Sequence, residues 1–346
     1  MSFKFKSLEF PIATTFFLSL TTILSLLKFI TSLQTYNGIK AEHPEVSFSE
    51  IIVPILQLVP SQSIFYPWTF VTESFVEWSI LTYALSVVVL YFGINFLEKH
   101  WNVNNESRVF SETVYFIIIV ATVTNITTVL IEITVHMLSL SSSELTVPLK
   151  NGIFSLIMSF VVVLKQLTPE HNVKVFKTFS IRLRQLPFIV LSATLFVSIV
   201  TRSLKPVVPM FNNFYVSWFY LRYYQINTIN DLLPSNSSRS TVRGDASDTF
   251  AFIQFFPVAA HRVLKPISRT TYHTAALIGL IRPFNDDDIE SGNLRTIKRL
   301  NTASTTVTSE IADRRRQVAL QVLGERVNAN TNARPDLPET PEQTQN

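Results

Sequence analysis

The chain has 346 residues, 47% of them hydrophobic and 16% charged, with 28 Phe and no Cys. Soluble domains average about 25% charged residues, and the lack of Cys excludes a disulfide framework, a thiol nucleophile and a Cys-ligated metal. The formal net charge is only +4, and from Asn227 onward 14 Lys and Arg stand against 13 Asp and Glu, so the chain lacks the basic footprint of a nucleic-acid-binding protein.

Apolar runs dominate up to Gln225, and Ser, Thr, Asn, Pro and charges take over after it. That break divides the chain into a membrane domain over 1–226, a tail with two ordered motifs over 227–327 and a disordered end over 328–346. A spanning helix needs roughly 20 mostly apolar residues. The first such run is 8–27, preceded by Lys4 and Lys6 and closed by Lys28. Its length, and the lack of a small-residue cleavage site after it, favour an uncleaved span over a signal peptide. Residues 51–59 are apolar but too short to span, and Phe65, Tyr66 and Trp68 after Pro60 suit headgroup depth, as in a re-entrant or interfacial piece.

Further spans follow at 74–97, 113–138, 149–164, 186–204 and 207–225, the fourth short enough to need shelter within the bundle. The expected fold is an all-α polytopic bundle of six helices. Lys4 and Lys6, the link with Lys99 and Arg108, and the link carrying Lys165, Lys174, Lys177, Arg182 and Arg184 fall on one side. Arg202 and Lys205 dissent, but the balance places both termini in the cytosol. In the tail, Ala275–Ile281 is too short for a seventh span, Asp286, Asp287 and Asp288 read as loop, and 309–327 reads as a helix with Arg314, Arg315 and Arg316 beside its apolar face. Those arginines suit acidic lipid or the acidic helix of a partner, or else form the solvated face of a helix docked on the tail's own core.

Polar residues inside spans are costly, so each needs a partner or a task. Asn125, Thr128, Glu132 and His136 in span three are spaced to share one face, either as a proton path or polar groove, or as bonds to neighbouring helices. Glu132 and His136 alone make a weak metal pair, and no metal or cofactor is expected. Glu73 and Glu77 open span two, next to Trp68 and Trp78. They suit acid–base work or the anchoring of a helix N-terminus. Gly152 and Ser155 begin span four in the manner of an intramembrane serine hydrolase. Such a serine needs a base, and of the six histidines only His136 lies near the membrane part, at the far end of span three.

Six blocks of residues carry a family resemblance. They are Pro67-Trp68 to Glu73 with Glu77 and Trp78; Leu97-Glu98 with Trp101; Gly152 to Lys165-Gln166; Ser217-Trp218 to Arg222 and Gln225; Gly244-Asp245 with Asp248 and Phe250, running to Pro257; and Ala312 to Val327 with its three arginines. In this order and spacing, from about residue 60 to 327, the chain resembles the transmembrane protein 115 family, which is rhomboid-like. Lys99-His100 departs from the Pro-Leu expected before the tryptophan. The resemblance implies a six-helix rhomboid-like core without proteolytic activity, in Golgi membranes with passage through the endoplasmic reticulum. It further implies support of retrograde Golgi-to-ER transport, with vesicle-tethering or other traffic proteins engaged through the cytosolic tail. No catalytic residues carry over. A second reading, client binding in membrane protein quality control, uses the short fourth span and polar span three as a groove.

Overall fold

The computed structural model describes residues 11–40, 45–101, 106–139, 145–168, 172–174, 180–202, 207–228 and 241–297. The helix expected over 309–327, with Arg314, Arg315 and Arg316, and the disorder expected over 328–346 lie outside the described residues. Two compact units divide the chain, 1–294 and 295–346, so the composition break near 226 falls inside the first.

The architecture is all-α save for two three-residue antiparallel ladders. In these β1 (Asn172–Lys174) pairs with β2 (Ser180–Arg182), and β3 (Ile226–Thr228) with β4 (Thr241–Arg243). Helix α1 covers Ile12–Lys40, thirteen residues beyond the expected end at Leu27. Lys28 marks where the apolar run weakens, but no helix breaker follows it until Gly38. Thr31 and Thr35 meanwhile satisfy their hydroxyls on the carbonyls of Leu27 and Thr31, four residues back. A single turn, α2 (Thr69–Thr72), and a 3-10 turn over Glu73–Phe75 come next.

Span two therefore starts later than the sequence suggested, as α3 (Ile80–Trp101). Val76 is extended, and Ser79 and Thr82 cap the new start reciprocally, each side chain accepting the other's backbone N–H at 3.2 Å. Glu73 and Glu77 thus precede the helix rather than opening it. Helix α4 spans Glu106–Ser139. A 3-10 turn over Gly152–Ser155 leads into α5 (Ile157–Leu167), and α6 (Leu186–Thr201) and α7 (Val207–Tyr223) complete the bundle.

Hydrogen bonds fix how neighbours run. Thr14 meets Glu98 and Thr22 meets Tyr83, so α1 and α3 are antiparallel. Asn212 meets Thr128 while Tyr220 packs on Phe116, so α4 and α7 are antiparallel. Ser159 meets Asn213 and Gln166 meets Gln225, so α5 and α7 run the same way. The main core joins all these helices around Phe17, Phe75, Leu90, Phe116, Met158 and Leu221, with the Phe17 and Phe75 rings stacked at 5.4 Å.

Among the described residues, four helices are long and apolar enough to cross a membrane: Ile12–Lys40, Ile80–Trp101, Phe110–Leu138 and Leu183–Thr201. Helix α5 has 11 residues, about 16 Å at 1.5 Å per residue, against a hydrocarbon core of about 30 Å. It is enclosed on nearly all sides, Met158 to Val163 being buried without a break, so its length need not match the bilayer. Helix α7, with 17 residues including Asn212 and Asn213, reaches about 25 Å.

The tail holds more helix than its composition suggested. Helix α8 covers Val258–Leu277, where the sequence showed only a short apolar run ending at Ile281. The triple aspartate expected to be loop starts α9, over 286–297. The Asp288 carboxylate accepts the backbone N–H of Asn285 at 3.0 Å, so these acids cap a helix N-terminus, where negative charge is favoured.

Candidate functional site

Two buried polar clusters lie inside the first compact unit. One forms where the irregular stretch 51–79 meets α4 and the entry to α5. The Glu73 carboxylate, 2% exposed, accepts the N–H of Leu58 at 2.9 Å through Oε2 and that of Asn151 at 3.0 Å through Oε1. Burial pushes this carboxyl up, to about 8, against the downward pull of those two N–H donors. Glu77 accepts the Ile153 N–H at 3.0 Å. Its carboxylate fills the space a side chain at Gly152 would occupy, and Gly152 sits at φ +47°. The two carboxylates thus clamp the backbone of 151–153, which no regular element satisfies.

Asn125 on α4 completes this cluster. Its amide donates to the Phe70 carbonyl at 2.8 Å and to Ser74 Oγ at 2.9 Å, and its Oδ1 accepts from Asn151 Nδ2 at 3.1 Å. Ser155 Oγ donates to the Gly152 carbonyl at 2.8 Å and lies 2.6 Å from Ser74 Oγ. Below it, Thr128 bonds Asn212, and Asn213 accepts the Ser159 N–H at 2.7 Å. The expected polar face of α4 is real and graded: Asn125 and Thr128 are buried, while Glu132 and His136 are half-buried. Among the described residues no group of three or more His, Cys, Asp or Glu could hold a metal ion.

The second cluster lies at the C-terminal ends of α5 and α7, and residues 241–257 supply half of it. Arg222 Nη1 donates to the carbonyls of Asp245 at 2.7 Å and Ser247 at 2.6 Å. The Gln166 amide donates to Gln225 Oε1 and Asp245 Oδ2, each at 3.0 Å. Lys165 Nζ donates to the Gln254 carbonyl at 2.7 Å and sits 3.2 Å above the Phe255 ring. Trp218 Nε1 donates to the carbonyl of the buried Phe250 at 3.1 Å. Asp248 exchanges two hydrogen bonds with Asn293, both at 2.9 Å. Pro257 caps α8 in an extended conformation. The first tail motif is therefore a strap closed over the bundle end, rather than a free recognition segment.

The family described as eukaryotic integral membrane protein (DUF1751) matches residues 15–329, which include both clusters. A transmembrane protein 115 homolog from Saccharomyces cerevisiae is 31% identical over 92% of this chain and 93% of its own length. The chain belongs to the transmembrane protein 115 family. Rhomboid-like protein 19 of Arabidopsis thaliana is 28% identical over 65% of this chain and 68% of its own, and transmembrane protein 115 of Homo sapiens 23% over 76% and 68%. No solved structure matches.

For a transmembrane protein 115 relative, the sequence-chosen residues sort cleanly. Glu73, Glu77 and Asn125 meet in the first cluster; Lys165, Gln166, Trp218, Arg222, Asp245, Asp248 and Phe250 meet in the second. Trp68 stands apart, half exposed and donating to the Ile55 carbonyl at 2.8 Å. Trp101 packs edge-on against Phe116 at 5.4 Å. Sequence reasoning missed Asn151 and Asn213, and it named Glu98 only within the Leu97-Glu98 block without giving it a role. Glu98 accepts the N–H groups of Ala13 and Thr14 at 2.9 and 3.0 Å, capping α1 from a distance. Its signal was available: a lone acid near the end of an apolar run, where the helix dipole does not favour it.

Proposed function

We propose that this chain is a Golgi membrane scaffold that supports retrograde Golgi-to-ER transport without proteolysis, with six membrane helices and both termini in the cytosol. The observation that carries the non-proteolytic part is Ser155. Its hydroxyl is buried and engaged by Gly152 and Ser74, and its neighbours are amides and carboxylates already bonded to backbone N–H groups, with no imidazole bonded to it among the described residues. A serine nucleophile needs a neighbouring base free to take its proton, and this one acts instead as a tie between 74 and 152–155.

The family resemblance supports the location and the transport role. The strap supports the scaffold reading: residues 244–257 hold the bundle end closed, which leaves the outer face of the tail and the segment beyond residue 297 to engage cytosolic traffic proteins. The test is retrieval of an ER reporter from the Golgi in cells lacking the protein, rescued with the full chain, a chain ending at Leu294 or Ser155→Ala. We expect Ser155→Ala to rescue and the chain ending at Leu294 to fail. Normal retrieval without the protein would sink the transport reading, and full rescue by the shortened chain would sink the role given to the tail.

The quality-control alternative has one observation of its own. An open apolar cleft of about 300 Å³ lies between Trp78, Lys150, Phe154 and Pro209, beside the short α5. Photo-crosslinking from position 154 to a client's transmembrane segment would favour this reading.

A further inference from the structure

We propose that α8 is a membrane-surface helix that lies in the headgroup layer of an anionic leaflet beside the end of α7. The argument starts from its three faces. Leu264, Ser268, Tyr272 and Ala275, spaced four, four and three, are half-buried or buried against the protein. Arg262, Lys265, Arg269 and His273 form a second, exposed face. Val263, Ile267, Thr271, Thr274 and Ile278 form a third, opposite the basic one and exposed as well, Val263 at 65% and Ile267 at 55%.

That third face suits a low-dielectric setting. The hydroxyls of Thr270, Thr271 and Thr274 donate to the carbonyls of Pro266, Ile267 and Thr270 at 2.9–3.0 Å, so these threonines present methyl groups with no unmet hydrogen bond. Between Asp248 and Asp286 the chain has no acidic residue, while Arg262, Lys265, Arg269 and Arg282 are all basic. An apolar stripe opposite a basic one, with low total hydrophobicity, is the pattern of a helix lying in a membrane interface.

Position decides between a lipid surface and a distant partner. The Tyr223 ring, at the last residue of α7, packs on Tyr272 of α8 at 6.5 Å and stacks on Phe284 at 5.4 Å. Tyr224 donates to the Leu280 carbonyl. In an integral membrane protein, α8 is thus held where a bundle helix ends, within reach of the headgroups. This reading uses membrane integration alone and does not depend on the transport role.

Because the chain has no Cys, Ile267→Cys in the full-length protein gives a single site for a nitroxide. The protein is reconstituted in phosphatidylcholine nanodiscs with or without phosphatidylserine, and collision with oxygen is compared with collision with a water-soluble nickel chelate. We expect label 267 in anionic discs to meet oxygen and be shielded from nickel, unlike a label at the exposed Asp287. Shielding should fall in neutral discs and in high salt, which leave the fold intact. Replacing Arg262, Lys265 and Arg269 together by Gln should lower the docked population about a hundredfold, each cation contributing about fivefold near a negative leaflet. Nickel exposure equal to that at 287, or shielding indifferent to lipid charge and salt, would overturn the proposal. So would shielding from both reagents, which would mean that protein covers this face.

Discussion

Replacing Gly244 by alanine tests whether residues 244–257 form a strap on which the bundle end depends. Gly244 has φ +80°, and a Cβ there would overlap the Arg222 carbonyl oxygen and lie 3.0 Å from its carbon and 3.2 Å from the Tyr223 Cα. A left-handed backbone costs a non-glycine residue about 1–2 kcal/mol. The overlap adds to this, because its partner is backbone held in place: Arg222 O accepts the Asp245 N–H at 3.0 Å, and the Gly244 N–H donates to Gln225 O at 2.6 Å. Relief requires lifting 244–247 from α7, which breaks the Arg222 and Gln166 bonds to Asp245 as well.

The readout uses the absence of cysteine. Ser247 is 1% exposed, so Ser247→Cys in the otherwise Cys-free chain reacts with a maleimide only when the strap opens. A penalty of 1.4 kcal/mol or more raises the open fraction, and with it the labelling rate, at least about tenfold. Gly279→Ala supplies the control. Gly279 has φ +76° and open space where a Cβ would stand, so alanine there carries the backbone strain without the overlap, and it lies outside the strap. Labelling at 247 should be unchanged there. Equal rates in Gly244→Ala and the parent would refute the strap, because the strain would then have been absorbed without opening.

Three further outcomes follow from the clusters. Asn125→Ala should lower bundle stability by about 2 kcal/mol or more, read by Trp fluorescence on thermal unfolding in detergent, since it strips the Phe70 carbonyl and the Asn151 amide of partners in a buried site; Asn125→Leu, which fills the space, should not restore it. Glu73 binds a proton more tightly when folded than unfolded, its carboxyl rising from 4.5 to about 8, so its contribution to stability is full below about pH 4.5 and declines as pH rises toward 8. Glu73→Gln should flatten that part of the stability-against-pH curve, and an unchanged slope would mean that another group sets it. Arg222→Lys should raise labelling at Ser247→Cys, because the guanidinium that bridges two carbonyls also packs over the Phe284 ring at 5.1 Å and an ammonium lacks that planar face.

The membrane character and the order of helices were legible because apolar run length is a direct physical requirement of crossing hydrocarbon. Helix ends were less so. Span two begins six residues later than its apolar run, because Glu73 and Glu77 turn inward to hold 151–153, and a long-range demand of this kind leaves no local trace. The polar face on α4 was legible from its spacing, and so was its purpose in part: Asn125 and Thr128 bond to neighbouring elements, as one of the two sequence readings had it. The acids at 286–288 misled because Asp favours loops and helix N-termini alike, and only the Asn285–Asp288 bond separates the two. Helix α8 was hidden by Pro266 and by threonines, which lower helix propensity; its three-faced pattern emerges only when 258–278 is read as one segment.

The composition break near 226 and the contact break at 294 are different boundaries, and the difference matters for how the tail is tested. Polar residues in 241–257 are not there to meet water: Asp245 and Ser247 are buried and face Gln166 and Arg222. Without them those two side chains would each lose acceptors at the bundle end, where an unmet buried donor costs about 1–3 kcal/mol. Cutting the chain at 227 therefore removes a structural part together with any recognition surface, and loss of function would not tell the two apart. Cutting after Leu294 keeps the strap's bonds to Arg222, Gln166, Trp218 and Asn293 and removes the second compact unit, with the last three residues of α9. If the shorter cut fails in transport while labelling at Ser247→Cys stays slow, the lost activity belongs to 295–346. If labelling quickens as well, the second unit is needed to keep the strap closed, and the scaffold and its tail act as one structure.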